Sequence, residues 1–221
     1  PADESGRDGR GQTVVVPGSV QKAAENLCRL KITLDDLCRT SDGQKIVSAL
    51  FIRSCTCALA GETFFYSIIP FAHWIRNSTE SQPYRGYVNS FFVLGTSTNG
   101  YPEHITTQDK IQDRINFYAT NFTHSLNVAK YDWWPELGIC IAHEGKHRVA
   151  FMQYHNQKSI AARVREFTYP EPNRLRIIVP NQRIKNYYEY EGFKRDWFAI
   201  LDNEYIQPLL LPEWTYTYLT A

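Results

Sequence analysis

The segment from Leu137 to Phe167 constrains the fold most, because it holds two apolar runs separated by one glycine and a helix-forming stretch. LGICIA (137–142) is β-branched and apolar, which predicts a buried strand. Gly145 predicts a tight turn, and KHRVAFMQYHN (146–156) predicts a helix. KSIAARVREF (158–167) alternates apolar and polar residues, which predicts a second strand. This order of elements predicts an α/β (α+β) fold with a compact mixed sheet and packed helices.

A zinc-peptidase motif overlaps the same segment. His143, Glu144 and His147 match H-E-x-x-H, in which both histidines share one helix face and the glutamate activates a metal-bound water. That chemistry needs a helix through His143, whereas the residues before it predict a strand. Gly145 inside such a helix would cost about 1 kcal/mol. The zinc peptidase therefore stays as an alternative, with Glu166 as its third ligand.

The strand–turn–helix interpretation predicts an anion site instead. A helix that begins near Lys146 directs its first N–H groups, and the positive end of its dipole, towards the turn. Gly145 lets the backbone approach a ligand closely. We therefore expect Gly145, Lys146, His147 and Arg148 to bind a phosphate group of ATP, of another nucleotide or of DNA.

Side chains around this turn also suggest a reaction. Lys146 and Arg148 are placed to neutralise charge on a phosphoryl group. His147 or Glu144 is the candidate acid–base, and Glu166 is a reserve for that role or a metal partner. Because carboxylates are available nearby, Mg²⁺ is a candidate cofactor.

The stretch HEGKHRVAFMQYHNQKSIAARVREF resembles the signature of the ParB/sulfiredoxin superfamily, in which a strand, a glycine–arginine turn and a helix precede another strand. Gly145, Arg148 and Ile160–Ala162 match it, whereas Phe151 stands where alanine is common. YSIIPFAHWIRN (66–77) is similar to the family's first strand and the polar turn after it. The resemblance covers roughly residues 62–170 and is specific over 137–167.

Lys146 departs from two branches of that superfamily. Sulfiredoxins have their reactive cysteine at this position and partition ParB proteins have glutamate, so we expect neither sulfinic-acid reduction nor a chromosome-partition clamp. A ParB/sulfiredoxin-like domain with a helical N-terminal extension also resembles the plasmid fertility-inhibition factors, which include the oncogenic suppression protein. This resemblance implies ATP hydrolysis and DNA cleavage, with DNA and components of a conjugation or type IV secretion machinery as partners.

Charge is distributed unevenly in a way that favours an anionic partner. Residues 146–195 hold 11 Lys or Arg against 4 Glu, in a chain whose formal net charge is +1. Cations that alternate with aromatic side chains in QRIKNYYEYEGFKR (182–195) are typical of single-stranded nucleic-acid binding. The candidate DNA-binding residues are Arg163, Arg165, Arg183, Lys185, Tyr187, Tyr188, Lys194 and Arg195. The alternative is a DNA- or protein-binding module without catalysis.

Residues 1–60 are interpreted as a mostly helical extension, 61–170 as the ParB/sulfiredoxin-like core and 171–221 as a C-terminal extension packed on it. Strands are predicted at 62–71 and in LRIIVP, and helices at 107–122 and 193–203. The five cysteines have no zinc-knuckle spacing, which indicates reduced thiols and a cytoplasmic location. No apolar run reaches the ~20 residues of a membrane helix, so membrane insertion is not expected.

Overall fold

The computed structural model describes residues 11–51, 58–69, 72, 76, 81–95, 107–122, 128–169, 175–178, 197–201 and 209–211. Within these residues the chain has a mixed α/β fold, in which helices pack on both faces of a six-stranded sheet. The predicted fold class is therefore confirmed. Three further strands form a second, antiparallel sheet.

The helices and strands have the following bounds. The helices are α1 (Gln21–Leu37), α2 (Ser41–Phe51), α3 (Gly61–Ile68), α4 (Gln108–Thr120) and α5 (Lys146–Tyr154). The strands of the large sheet are β1 (Gln12–Thr13), β2 (Tyr84–Asn89), β3 (Val93–Leu94), β4 (Ala129–Trp134), β5 (Ile139–Glu144) and β6 (Ser159–Glu166). The small sheet contains β7 (Leu175–Ile178), β8 (Trp197–Leu201) and β9 (Leu209–Leu211).

The large sheet has the strand order β1-β2-β6-β4-β5-β3. Its three central strands mix directions, because β4 runs parallel to β6 and antiparallel to β5. Most residues of these strands are buried, on both faces of the sheet. Each face has its own core: α1, α2 and α3 cover one face, here named the α1–α3 face, and α4 and α5 cover the other, the α4 face.

The predictions around Gly145 are confirmed. β5, the glycine, α5 and β6 follow one another as expected, and β5 extends to Glu144 rather than ending at Ala142. Helix α4 begins after Thr107, the expected cap, although that side chain makes no capping hydrogen bond. The LRIIVP strand is present as β7.

Two predicted elements are wrong. The β-branched and aromatic run at 62–71 contains most of helix α3 instead of a strand. Phe64, Phe65 and Ile68 are buried at helical spacing against the α1–α3 face, and this burial outweighs their preference for strands. The helix predicted at 193–203 is also wrong, since residues 197–201 form β8.

Cysteine chemistry differs from the expectation at one position. Cys28 and Cys140 are free and buried, whereas Cys38 is disulfide-bonded. The inference that the thiols are reduced therefore does not hold at Cys38. No helix in the described parts of the chain combines the length and apolar character needed to cross a bilayer.

Candidate functional site

Strand β5 departs from regular pairing with β4 at His143. Tyr131 pairs with Ala142 and Lys130 pairs with Glu144, so His143 is an extra residue in β5. Such a β-bulge bends its strand and re-aims a side chain. The imidazole of His143 meets Asp132, with Nε2 2.5 Å from Asp132 Oδ2.

Asp132 is a buried carboxylate with several cationic neighbours. Its side chain is 1% exposed, in the middle of β4. Arg165, its register partner on β6, donates to Asp132 Oδ1 from Nε at 3.2 Å and from Nη2 at 3.1 Å. Arg76 Nε lies 3.1 Å from Asp132 Oδ2. These charge-assisted contacts compensate for the loss of water around the carboxylate.

Glu62 occupies the other side of the imidazole. Its Oε1 contacts His143 Nδ1, and its Oε2 lies 3.5 Å from Lys146 Nζ. Both ring nitrogens of His143 therefore face a carboxylate. We name the set Glu62, Arg76, Asp132, His143, Lys146 and Arg165 the His143 cluster.

The His143 cluster carries a net positive charge. Three permanent cations, Arg76, Lys146 and Arg165, outnumber the carboxylates of Glu62 and Asp132. The first turn of α5, which begins at Lys146, adds N–H groups and the positive end of the helix dipole. An anion is therefore the ligand that this arrangement favours.

Exposure indicates the side from which a ligand enters. The side chains of Glu62 and Lys146 are 31% and 29% exposed, whereas Asp132 is almost fully buried. Asp132 therefore lies behind His143, and Glu62 and Lys146 lie in front of it. Tyr66 belongs to the same neighbourhood, since Arg76, Asp132 and Glu62 all act on its ionisation. Burial raises the pKa of Tyr66 to about 12 even though Arg76 opposes the shift, so the phenol keeps its proton at neutral pH.

Gly145 has the conformation that the glycine turn requires. Its φ of 77° lies in the left-handed region, which side chains other than glycine rarely adopt. A Cβ at this position would also lie 3.0 Å from the Cβ of Ala129. The turn therefore favours glycine for two reasons, the backbone conformation and the close approach of Ala129.

The cations predicted at the start of α5 do not converge on one ligand. Lys146 joins the His143 cluster, but Arg148 is buried on the α4 face, with its guanidinium 4.9 Å from the ring centre of Tyr118 and 5.6 Å from that of Phe117. His147 is exposed. Lys146 contacts the cluster through Glu62, whereas Arg148 packs against aromatic rings on the α4 face.

Neither of the two predicted acids, Glu144 and Glu166, belongs to the His143 cluster. Glu144 is exposed and pairs in register with Lys130. Glu166 is exposed and lies near Tyr84, whose pKa is raised to about 12 by burial and, to a smaller extent, by the charge of Glu166. Because neighbouring residues of a strand point to opposite faces, Glu166 lies across the sheet from Arg165.

Arg163 and Arg165 share one face of strand β6, because they are two residues apart. Arg163 pairs in register with Arg85 on β2 and with Lys130 on β4, and all three side chains are exposed. Neighbouring strands are about 4.8 Å apart, so Arg85, Arg163 and Lys130 form a row of cations across three strands. We name this set the basic row; it lies beside the His143 cluster on the same face.

The remaining predicted DNA-binding residues lie outside the described residues. They are Arg183, Lys185, Tyr187, Tyr188, Lys194 and Arg195.

Sequence reasoning missed Glu62, Arg76 and Asp132 of the His143 cluster. Glu62 and Asp132 stand in aromatic runs, and a carboxylate in such a run is a signal of a paired or functional charge. No set of three His, Cys, Asp or Glu side chains suited to a metal ion occurs among the described residues. His143 lies in a strand, so the two histidines of the H-E-x-x-H pattern do not share a helix face.

Comparisons with protein-family models, with curated proteins and with solved structures found no match to this chain. What the site does is therefore inferred from its own side chains and their geometry.

Proposed function

We propose that this chain binds the phosphate groups of a nucleotide or a nucleic acid and hydrolyses a phosphoryl bond at the His143 cluster. The observation that supports this most is the net positive charge of the cluster at the Gly145 end of α5. A phosphate group fits this charge, and it also accepts hydrogen bonds from N–H groups at a helix start.

In the binding step, the phosphoryl oxygens contact Lys146 and the first turn of α5. Lys146 is suited to this because its ammonium group lies at the exposed edge of the cluster and its pair with Glu62 is long. The permanent charges of Arg76 and Arg165, whose side chains are 30% and 28% exposed, add to the attraction.

In the chemical step, His143 is the acid–base. Asp132 holds the ring of His143 through Nε2. The nitrogen that changes its hydrogen-bond partner during the reaction is therefore Nδ1, which contacts Glu62. This differs from the sequence-based choice of His147 or Glu144, neither of which is held by Asp132. Mg²⁺, if required, is expected to arrive with the substrate phosphates, as is usual for this ion.

The basic row extends the phosphate site along the sheet. Its cations suit a nucleic-acid backbone, because contacts between cations and phosphates give affinity without reading sequence. DNA therefore stays the favoured macromolecular partner. The implied relation to ParB/sulfiredoxin domains, and to components of a conjugation or type IV secretion machinery, stays a prediction.

Hydrolysis is tested by comparing two histidine variants, His143→Asn and His147→Asn, with the unmodified chain. ATP and a single-stranded DNA oligonucleotide serve as substrates, each with Mg²⁺ and with EDTA. Loss of the acid–base at His143 lowers turnover about a hundredfold or more, whereas loss of the exposed His147 changes it little. Thermal unfolding of both variants separates loss of chemistry from loss of fold.

One observation favours a second candidate function, a binding module without turnover. Carboxylates contact both ring nitrogens of His143, which also suits a histidine with a purely structural role. Salt-dependent DNA binding by the unmodified chain, with no turnover of ATP or DNA under any metal, selects this candidate and rejects hydrolysis.

A further inference from the structure

A second site lies between helices α1 and α5. A cavity of about 290 Å³ separates them, and β3 with the turn before it forms the third wall. Most of the wall is apolar, from Ile32, Phe91, Val93, Val149 and Ala150. Lys31 and Asp35 also line the cavity, and Lys31 is 2% exposed.

Lys31 and Asp35 form a short buried ion pair. Lys31 Nζ lies 2.5 Å from Asp35 Oδ2, and Asp35 Oδ1 accepts a hydrogen bond of 3.0 Å from the backbone N–H of Leu59. Burying two charges costs about as much as their attraction returns, and apolar pairs often replace buried ion pairs without loss of stability. Packing alone therefore does not explain a lysine in this wall.

The charges around the cavity cancel one another. Lys31 faces Asp35, and Asp36 forms an exposed ion pair with Arg39 at 3.2 Å. The site therefore differs from the His143 cluster, because it has no excess of cations to attract an anion. An uncharged molecule with an apolar body fits both the walls and the charge.

We propose that Lys31 forms an imine with a small, uncharged carbonyl compound that binds in the cavity between α1 and α5. Lys31 first passes a proton to Asp35, and the neutral amine attacks the carbonyl carbon, so that a C–N bond forms. The oxygen takes the proton back from Asp35. Asp35 then removes a proton from the nitrogen and delivers it to the hydroxyl group, which leaves as water. The products are a protonated imine and one water, with Asp35 again a carboxylate beside the cation.

The environment of the pair favours the first proton transfer. Burial lowers the pKa of Lys31 and raises that of Asp35, while the attraction between the two opposes both shifts. Burial thus brings the neutral amine and neutral acid closer in energy to the ion pair. Cys28, which also lines the cavity, has its pKa raised by burial to about 12, so its thiol does not compete as a thiolate.

Reductive trapping tests the proposal on the intact chain. Benzaldehyde is an apolar, uncharged carbonyl probe, and sodium cyanoborohydride converts an imine into a stable benzylamine that peptide mapping locates. Lys22, exposed on the same helix, is the matched control. We expect Lys31 to be labelled at least tenfold faster than Lys22, with a rate that saturates as benzaldehyde increases. Equal or slower labelling of Lys31 would overturn the proposal and leave the pair a structural one.

Two variants test the roles of the Lys31 amine and of the Asp35 carboxyl group separately. Lys31→Arg keeps a cation beside Asp35 but forms no imine, so the Lys31 adduct disappears while Lys22 is labelled as before. Asp35→Asn keeps the amine and removes the proton carrier, so labelling of Lys31 falls at least tenfold. An unchanged rate in Asp35→Asn contradicts the proposed steps. If neither variant folds, the comparison of Lys31 with Lys22 in the unmodified chain still decides.

Discussion

The His143 cluster and the Lys31–Asp35 pair are two solutions to the burial of charged groups. The cluster joins side chains from α3, β4, β5, α5 and β6, together with Arg76, and carries excess positive charge. The pair joins two positions four residues apart on one helix and is neutral. The first favours phosphate groups and the second favours uncharged molecules.

The two regions also differ in which elements their contacts require. A lysine and an aspartate four residues apart can meet within α1 alone. The contacts of Asp132 require β4, β5 and β6 to pair in register, because Arg165 and His143 reach it from neighbouring strands. We therefore expect substitutions in the cluster to affect the tertiary fold, and substitutions in the pair to affect the wall of one cavity.

The largest expected effect is that of Asp132→Asn. Removal of this buried charge deprives Arg76, Arg165 and His143 of the carboxylate that all three contact. The free energy of unfolding should fall by about 3–5 kcal/mol, measured by denaturant titration. Asp36→Asn is the control, because its 62% exposed ion pair with Arg39 contributes about 0–1 kcal/mol. A loss below 1 kcal/mol in Asp132→Asn would show that the cluster does not hold the sheet together.

The second prediction concerns the pair. Lys31→Leu leaves Asp35 buried without its cation and should cost about 3 kcal/mol. The double variant Lys31→Leu with Asp35→Leu removes both charges and should recover most of that loss, because apolar side chains suit these walls. If the double variant is as unstable as Lys31→Leu alone, the ion pair is needed for packing and the prediction is wrong.

The pair also gives a pH dependence of known sign. The pKa of Asp35 is raised from 3.8, so just above pH 3.8 the folded chain binds more protons than the unfolded one, and its stability falls as pH rises. The pKa of Lys31 is lowered from 10.5, so just below pH 10.5 the unfolded chain binds more protons, and stability rises with pH. The double leucine variant should lack both slopes when denaturant midpoints are compared across pH.

The sequence predicts the two regions unequally well. The pattern of apolar residues predicts the strand, helix and strand around Gly145, and the tight turn between the first two requires a glycine-like backbone. Both signals are local in the sequence. The spacing of Lys31 and Asp35 is equally local, but sequence does not reveal that a helix buries them beside a cavity. The partners of Asp132 are set by strand register and by a bulge at His143, and neither can be read from composition or periodicity.

Helix α3 shows the same limit. Its run of aromatic and β-branched residues predicts a strand, yet Glu62 reaches His143 from the first turn of a helix. Strand propensity describes how a side chain suits a half-buried sheet, and tertiary packing overrides it when a helix buries the same residues better. Because the sequence predicts a strand here, it does not reveal that Glu62 is one of the two carboxylates that contact the imidazole of His143.

The smallest expected effects are those at the basic row, and they test which region attracts nucleic acid. Arg85→Ala and Lys130→Ala should each weaken binding of a single-stranded oligonucleotide and reduce the slope of log affinity against log salt by about 0.7, as for one lost phosphate contact. Lys110→Ala, at an exposed lysine on α4, is the control and should leave the slope unchanged. Fluorescence anisotropy over a range of salt concentrations measures both quantities. The basic row lies beside the His143 cluster and not beside the neutral cavity. Equal salt slopes for Arg85→Ala, Lys130→Ala and Lys110→Ala would therefore contradict the assignment of the phosphate site to the face that holds the cluster.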